Sequence, residues 1–188
     1  MGSSISFSGV ILAAGESSRM GRDKALLPWP PQSAGTSTGN TFLSAAIGLF
    51  TPYVDVILVV TGKNVNELSP IVYARGASLL VNPDPSRGQF SSLQTGLREV
   101  LNRGRDAAMV TLVDRPPVRF ETVGILQEEF GQALKRGMWA VVPEYQGART
   151  PDSGGTRDDR SIFASSRDRQ CARNRACAPG QDCLCDRE

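Results

Sequence analysis

The chain has 188 residues, 40% of them hydrophobic, with 21 Lys and Arg against 19 Asp and Glu, a net charge of +2 and no histidine. That length suits one domain with a proper core, and the near balance of charge creates no demand for nucleic acid or a strongly acidic partner. The lack of histidine excludes a Ser-His-Asp triad, a Cys-His pair and any His-ligated metal, leaving carboxylates, cations, backbone amides and a hard metal for chemistry.

The opening residues MGSSISFSG have neither the basic start nor the long apolar core of a signal peptide. No apolar run approaches the roughly 20 residues that a membrane helix requires. The expectation is a soluble cytoplasmic protein without membrane contact.

The most informative stretch is Val10 to Pro28, VILAAGESSRMGRDKALLP. A short apolar run, Val10 to Ala13, stops at Gly15 and reads as a buried strand; the turn of small and cationic residues after it lies at the strand's C-terminal end, where ligands bind in open α/β sheets. Gly15 and Gly21 let the backbone approach a ligand closely, while Arg19 and Lys24 add a planar and a point charge, so a polyphosphate is the natural guest. A solvated loop with two ordinary cations is the plain alternative. The turn lacks the glycine triplet of a dinucleotide fingerprint, and Lys24 lies three residues after Gly21 with Ala25 behind it, which does not make a P-loop.

In residue order, LAAGESSRMGRDKALLP resembles the L-A-A-G-x-S-x-R-M-G-x-x-K-x-L-L-P signature of MobA-like nucleotidyltransferases that act on the molybdenum cofactor, in particular their cytidylyltransferase-like branch. The resemblance implies a Rossmann-like three-layer fold, a nucleoside triphosphate, Mg²⁺ and transfer of a nucleotidyl group, CMP from CTP in that branch, to the phosphate of a molybdopterin-type acceptor. A molybdoenzyme or its chaperone would be a further partner. By position, Leu12, Ala13, Ala14 and Gly15 would meet the nucleotide, and Arg19 and Lys24 would hold its phosphates.

Residues 29–41, WPPQSAGTSTGNT, carry no charge and read as an irregular loop inserted relative to the family. Phe42, Leu43, Ala46, Ile47 and Phe50 have helical spacing, with Asn40 or Thr41 as N-cap and Pro52 as stop. Val54 to Val60 is a second buried strand, Val65 to Ala74 a weaker helix and Ser78 to Val81 a short third strand.

The stretch NPDPSRGQFSSLQTG, Asn82 to Gly96, opens as a proline-rich turn and leads into a helix with Ser91 or Ser92 as N-cap. A helix N-terminus at the strand ends is a ready anion site. It resembles the family's N-P-x-x-x-x-G-x-x-S-S-L-x-x-G-L, which implies that Asn82, Gly88 and Ser91 or Ser92 contact the base, the ribose or a bound cofactor. A capped helix after a tight turn explains the serines equally well.

A further strand runs from Ala107 to Val113 and presents Asp114 at its end. A carboxylate there is costly unless paired, hydrogen bonded or bound to metal, and beside a triphosphate it suits Mg²⁺. The match is to the family's D-Q-P, whose Asp is a metal ligand, with Arg115 in place of Gln; Asp114 as cap of the next helix is the alternative. Arg115 is placed either to pair with Asp114 or to reach a phosphate. A helix over Glu121 to Arg136 and a strand over Trp139 to Val142 follow. The alternation of strand and helix predicts an α/β fold with a mainly parallel sheet covered on both sides.

At about Gly147 the character changes. Aliphatic residues almost vanish, Arg and Asp recur without period, and Cys171, Cys177, Cys183 and Cys185 appear without a C-x-x-C pair. The expectation is a nucleotidyltransferase domain over residues 1–147 and an aberrant, disordered segment over 148–188. The family continues here with a G-H-P turn, a helix, a strand and a second metal-binding Asp, which this chain lacks. A slipped reading frame would account for this: one base later, the codons of Ala148 to Asp152 permit His-Gly-His-Pro, and sequencing of the source DNA ends the idea if the shifted frame holds early stops. Loss of that region implies a catalytically defective nucleotide-binding domain as the alternative to an active enzyme. A sugar-phosphate or isoprenoid-precursor nucleotidyltransferase is the remaining enzymatic alternative.

Overall fold

A computed structural model describes residues 5–15, 21–31 and 39–143, and the backbone of residues 162–165. Its centre is β1 (Phe7–Ala13), buried along its whole length. A strand covered on both faces needs a continuous apolar run rather than alternation, and Val10, Ile11 and Leu12 supply it. On either side of β1 run β2 (Val56–Thr61) and β4 (Ala107–Leu112), both parallel to it, and β3 (Ser78–Val81) extends the sheet parallel to β2. The order is β3-β2-β1-β4-β6-β5, in which β6 (Ile162–Ser165) runs antiparallel between β4 and β5 (Ala140–Val141).

This is the predicted α/β architecture, with the sheet mainly parallel. Within the segment expected to be disordered, 148–188, residues 162–165 pair with β4 from Ala107 to Val110; the rest of that segment lies outside the described residues.

Helices cover both faces. On one side α3 (Gln89–Asn102) packs over Val10, Leu12, Leu58, Val60 and Val110. On the other, α1 (Phe42–Phe50), α2 (Val65–Ala74) and α4 (Phe120–Lys135) close a larger core around Ile11, Leu43, Ile47, Val59, Leu68, Met109 and Phe130. Each large side chain buried there contributes about 1.5–3 kcal/mol by leaving water. Phe130 meets Phe7 edge-on, ring centroids 5.7 Å apart.

The first helix begins where its sequence dictates. Thr41 Oγ1 accepts from Ser44 N at 3.1 Å while Ser44 Oγ accepts from Thr41 N at 2.8 Å, a reciprocal cap in which Ser takes the place usual for Glu. Below it, the ends of the 29–41 insertion are held together. Trp29 N donates to Asn40 O at 3.0 Å, Phe42 N donates to Leu27 O at 3.0 Å, and the Trp29 ring lies 4.8 Å from that of Phe42. Residues 32–38 lie outside the described residues.

The approach of α3 to the sheet depends on Gly96. A Cβ there would sit 2.5 Å from Val10 Cγ1 and 3.3 Å from Val60 Cγ2. Alanine would gain up to about 1 kcal/mol of helix propensity, but overpacking against a fully buried β-branched side chain costs about 1–3 kcal/mol. Gly96→Ala is therefore expected to lower stability by about 1 kcal/mol, read as a reduced urea midpoint at unchanged slope. A gain in stability would mean that helix and sheet are not so closely seated.

Candidate functional site

Parallel strands bring their C-terminal ends to one edge, and the register shows how closely. Ala13 pairs with Thr61, Thr61 with Val81, and Leu12 with Leu112. The loops that follow all four parallel strands therefore open on the same rim, as expected for a ligand crevice in an open α/β sheet. Between them lies a cleft of about 790 Å³, lined from the first loop by Ala14, Gly15, Asp23 and Lys24, from the second by Lys63, from the third by Ser86, Gly88, Gln89 and Ser92, and from the fourth by Asp114 and Arg115. Leu12 and Leu112 contribute apolar wall.

Lys24 and Asp114, 90 residues apart in sequence, meet across the cleft with Nζ 3.0 Å from Oδ2. Their side chains remain 44% and 38% exposed, so the pair contributes at most about 1 kcal/mol to stability. Its interest is chemical: a cation suited to phosphate oxygens sits beside a carboxylate suited to a hard metal. Asp114 does not cap the next helix, since α4 begins at Phe120 with Arg119 in the N-cap position. The expected placement of Asp114 at a strand end holds, although β4 stops at Leu112 rather than Val113.

Lys24 opens a short 3₁₀ turn (Lys24–Leu26) capped by Asp23, whose Oδ1 accepts from Ala25 N at 2.9 Å. The other carboxylate oxygen of Asp23 accepts from Asn64 Nδ2. Asn64 Nδ2 also donates to Ala13 O at 2.9 Å, and its Oδ1 accepts from Gly62 N at 3.0 Å. Gly62 lies where a Cβ would come within 2.9 Å of Pro85 and 3.0 Å of the Ala14 carbonyl, so only glycine lets three of the loops converge. Arg19, the second cation of the first motif, lies outside the described residues.

The third loop is organised from within by Asn82. It is 4% exposed, donates to Ser91 Oγ at 2.8 Å and Ser92 Oγ at 2.9 Å, and accepts from Asp84 N at 3.0 Å. Both of its amide donors are thus engaged within the protein, and neither Asn82 nor Ser91 lines the cleft, whereas Gly88 and Ser92 do. The expected N-cap at Ser91 or Ser92 is corrected: α3 starts earlier, at Gln89, with Gly88 as its N-cap residue at φ +85°. That backbone conformation suits glycine, so the helix can begin a turn sooner than the serines suggest. Ser91 Oγ instead donates to Gly88 O at 2.8 Å. The first turn of this 14-residue helix faces the cleft through Gly88, Gln89 and Ser92, adding amide groups and the positive end of the helix dipole.

Three of the residues that shape this site, Lys63, Asn64 and Asp23, are marked by no motif in the sequence. The signal for the first two was the Thr61-Gly62 end of a buried strand, which places its next residues on the same rim as Gly15. Among the described residues no group of three or more acidic or Cys side chains gathers to hold a metal. Asp114 alone fits Mg²⁺ in the manner typical of nucleotide sites, where one or two carboxylates complete a shell of phosphate oxygens and water. No helix of the described residues is long and apolar enough to cross a membrane.

Fold and cleft together define a Rossmann-like α/β protein with a ligand crevice at the carboxyl ends of its parallel strands. Residues 9–179 match the MobA-like NTP transferase domain, and the chain belongs to that family. It is 34% identical over 118 residues to a probable molybdenum cofactor guanylyltransferase of Mycobacterium avium, covering 62% of this chain and 53% of that protein. It is 31% identical over 150 residues to the purine catabolism protein PucB of Bacillus subtilis, covering 76% of this chain and 67% of that one. The chain thus spans about half the length of the mycobacterial relative. Among solved structures, Rv0371c of Mycobacterium tuberculosis shares the fold at a TM-score of 0.60 and 20% identity over 87% of this chain and 72% of that one; the same protein is also known as a manganese complex. The branch expected from sequence is not confirmed, since the mycobacterial relatives carry the guanylyl name.

Proposed function

We propose that the cleft binds a metal-complexed nucleoside triphosphate and that the chain transfers its nucleoside monophosphate to the phosphate of a molybdopterin-type acceptor. The observation that carries this is Lys24 Nζ within 3.0 Å of Asp114 on the rim where the strand-end loops converge. An acceptor phosphate oxygen forms the new bond to the α-phosphorus while the bond to the bridging oxygen breaks and pyrophosphate leaves.

Lys24, with Arg19, neutralises the charge that grows on the leaving phosphates, and the backbone at Ala13, Ala14 and Gly15 bounds the nucleotide. The first turn of α3 offers amides to the same anion. Asp114 would hold Mg²⁺, which polarises the phosphoryl oxygens when bound. Asn82 and Ser91 act by shaping the third loop, with Ser92 and Gly88 at the ligand.

The finer reading is CMP transfer from CTP, supported by the Ser91-Ser92-Leu93 stretch. GMP transfer from GTP is the second reading, favoured by the names of the mycobacterial relatives. A triphosphate present at about 100 times its Kd stabilises the folded state by about 2.7 kcal/mol. For a chain of this size that is a rise in Tm of about 5–10 °C. Thermal melts with CTP, GTP and ATP plus Mg²⁺ should show this shift for one base above the others, and no shift with any of them would sink the proposal. Pyrophosphate release in the presence of the pterin then separates an active enzyme from a domain that binds without turnover. The latter is the reading favoured by the absence of the family's G-H-P turn.

A further inference from the structure

Asn64 stands at the N-cap position of α2, where asparagine ordinarily turns its side chain onto its own helix. Here it makes no side-chain cap. All of its side-chain polar atoms are directed to the rim: the amide nitrogen donates to Ala13 O and to Asp23, and Oδ1 accepts from the Gly62 amide. Helix α2 thus forgoes a local stabilising contact, and such a departure from a local rule marks a place where another requirement prevails.

The β1–β2 ladder already sets Ala13 beside Thr61, and the three bonds tie Asp23 to that pair of strand ends. Ala13 ends β1 at the start of the phosphate loop, Gly62 follows β2, and Asp23 lies on the loop's return limb directly before Lys24. Asp23 is itself fixed by capping the Lys24–Leu26 turn. The loop therefore has both limbs tied to one amide side chain, and Lys24 is attached to the second tie.

We propose that Asn64 is a positioning residue for the triphosphate: by bracing Ala13 and Asp23 together it sets the span of the loop and holds Lys24 over the cleft opposite Asp114. The inference rests on the triphosphate reading of the cleft. Placement matters because a charge-assisted hydrogen bond weakens steeply once donor and acceptor leave their favoured distance and angle.

The test is a donor–acceptor exchange. Asn64→Asp keeps an oxygen for the Gly62 amide but turns a carboxylate toward Asp23 and the Ala13 carbonyl. Binding of Mg²⁺–CTP, Mg²⁺–GTP and magnesium tripolyphosphate, measured by calorimetry on protein shown to be folded by circular dichroism, should weaken about tenfold, the size of one charge-assisted contact. Combining it with Asp23→Asn restores the tie to the return limb with reversed polarity, leaving only the Ala13 O contact unmade, and should return affinity to within about threefold of the parent. A loss caused merely by a less stable α2 would persist in the double variant, and that result overturns the proposal. Parent-like binding by Asn64→Asp also overturns it; if Lys24→Ala still loses affinity, the triphosphate reading survives, and if Lys24→Ala also binds normally, that reading has failed independently. Should Asn64→Asp not fold, Asp23→Ala, at a partly exposed loop position, carries the same expectation: a similar loss supports the brace and none refutes it.

Discussion

Lys24→Ala is expected to weaken triphosphate binding by about 10- to 100-fold while leaving the fold almost as stable as before. The two magnitudes come from different environments. Lys24 is paired with Asp114 across the cleft, and both side chains are well exposed, so removing the pair costs at most about 1 kcal/mol. Against a triphosphate the same ammonium meets several anionic oxygens beside the helix dipole of α3, and a hydrogen bond to a charged group there contributes about 1.5–3 kcal/mol. Calorimetric titration against a thermal melt of the same samples separates these effects. A large fall in Tm with unchanged affinity would make Lys24 a structural cation and remove the central support for the proposed function.

The second large effect is expected at Asp114. Two anions face one another when a metal-free triphosphate enters beside this carboxylate, and only a divalent cation between them turns repulsion into attraction. For the parent chain, Mg²⁺ should raise triphosphate affinity by about tenfold or more. In Asp114→Asn the neutral amide no longer repels the phosphates and no longer holds the cation. Metal-free affinity should then hold or rise, while the enhancement by Mg²⁺ falls to about twofold or less. Pyrophosphate release, where present in the parent, should be lost. If the enhancement survives the substitution, the cation is held elsewhere and Asp114 serves mainly as the partner of Lys24.

The parts of this architecture legible in the sequence are those set by local pattern. Ser78–Val81 and Val65–Ala74 have the bounds that their residues predict, and β1 was evident from Val10 to Ala13 because a strand buried on both faces must be continuously apolar. Asp114 was evident for the same reason: a charge directly after an apolar run is forced to the strand's end. What escaped needed knowledge of neighbours. Asn64 becomes meaningful only once β2 lies beside β1 and its side chain can reach Ala13 and Asp23, 51 and 41 residues away. Asn82 shows the reverse, since its residue type fits a ligand contact and only the geometry reveals that its donors serve Ser91 and Ser92. Strand β6 escaped because four residues among polar neighbours in sequence carry almost no periodic signal, and one of its two partner strands ends 50 residues earlier.

The closure beneath the 29–41 insertion has a consequence for how this region can vary. Because the paired backbone between Leu27 and Phe42 and the contact of Trp29 with Phe42 form a neck, the start of α1 is set there and not by the length of chain above it. Doubling or halving a loop beyond such a neck changes its closure entropy by only about 0.6 kcal/mol. The chain there is therefore a natural place to graft, shorten or label, with the rim of the cleft left undisturbed.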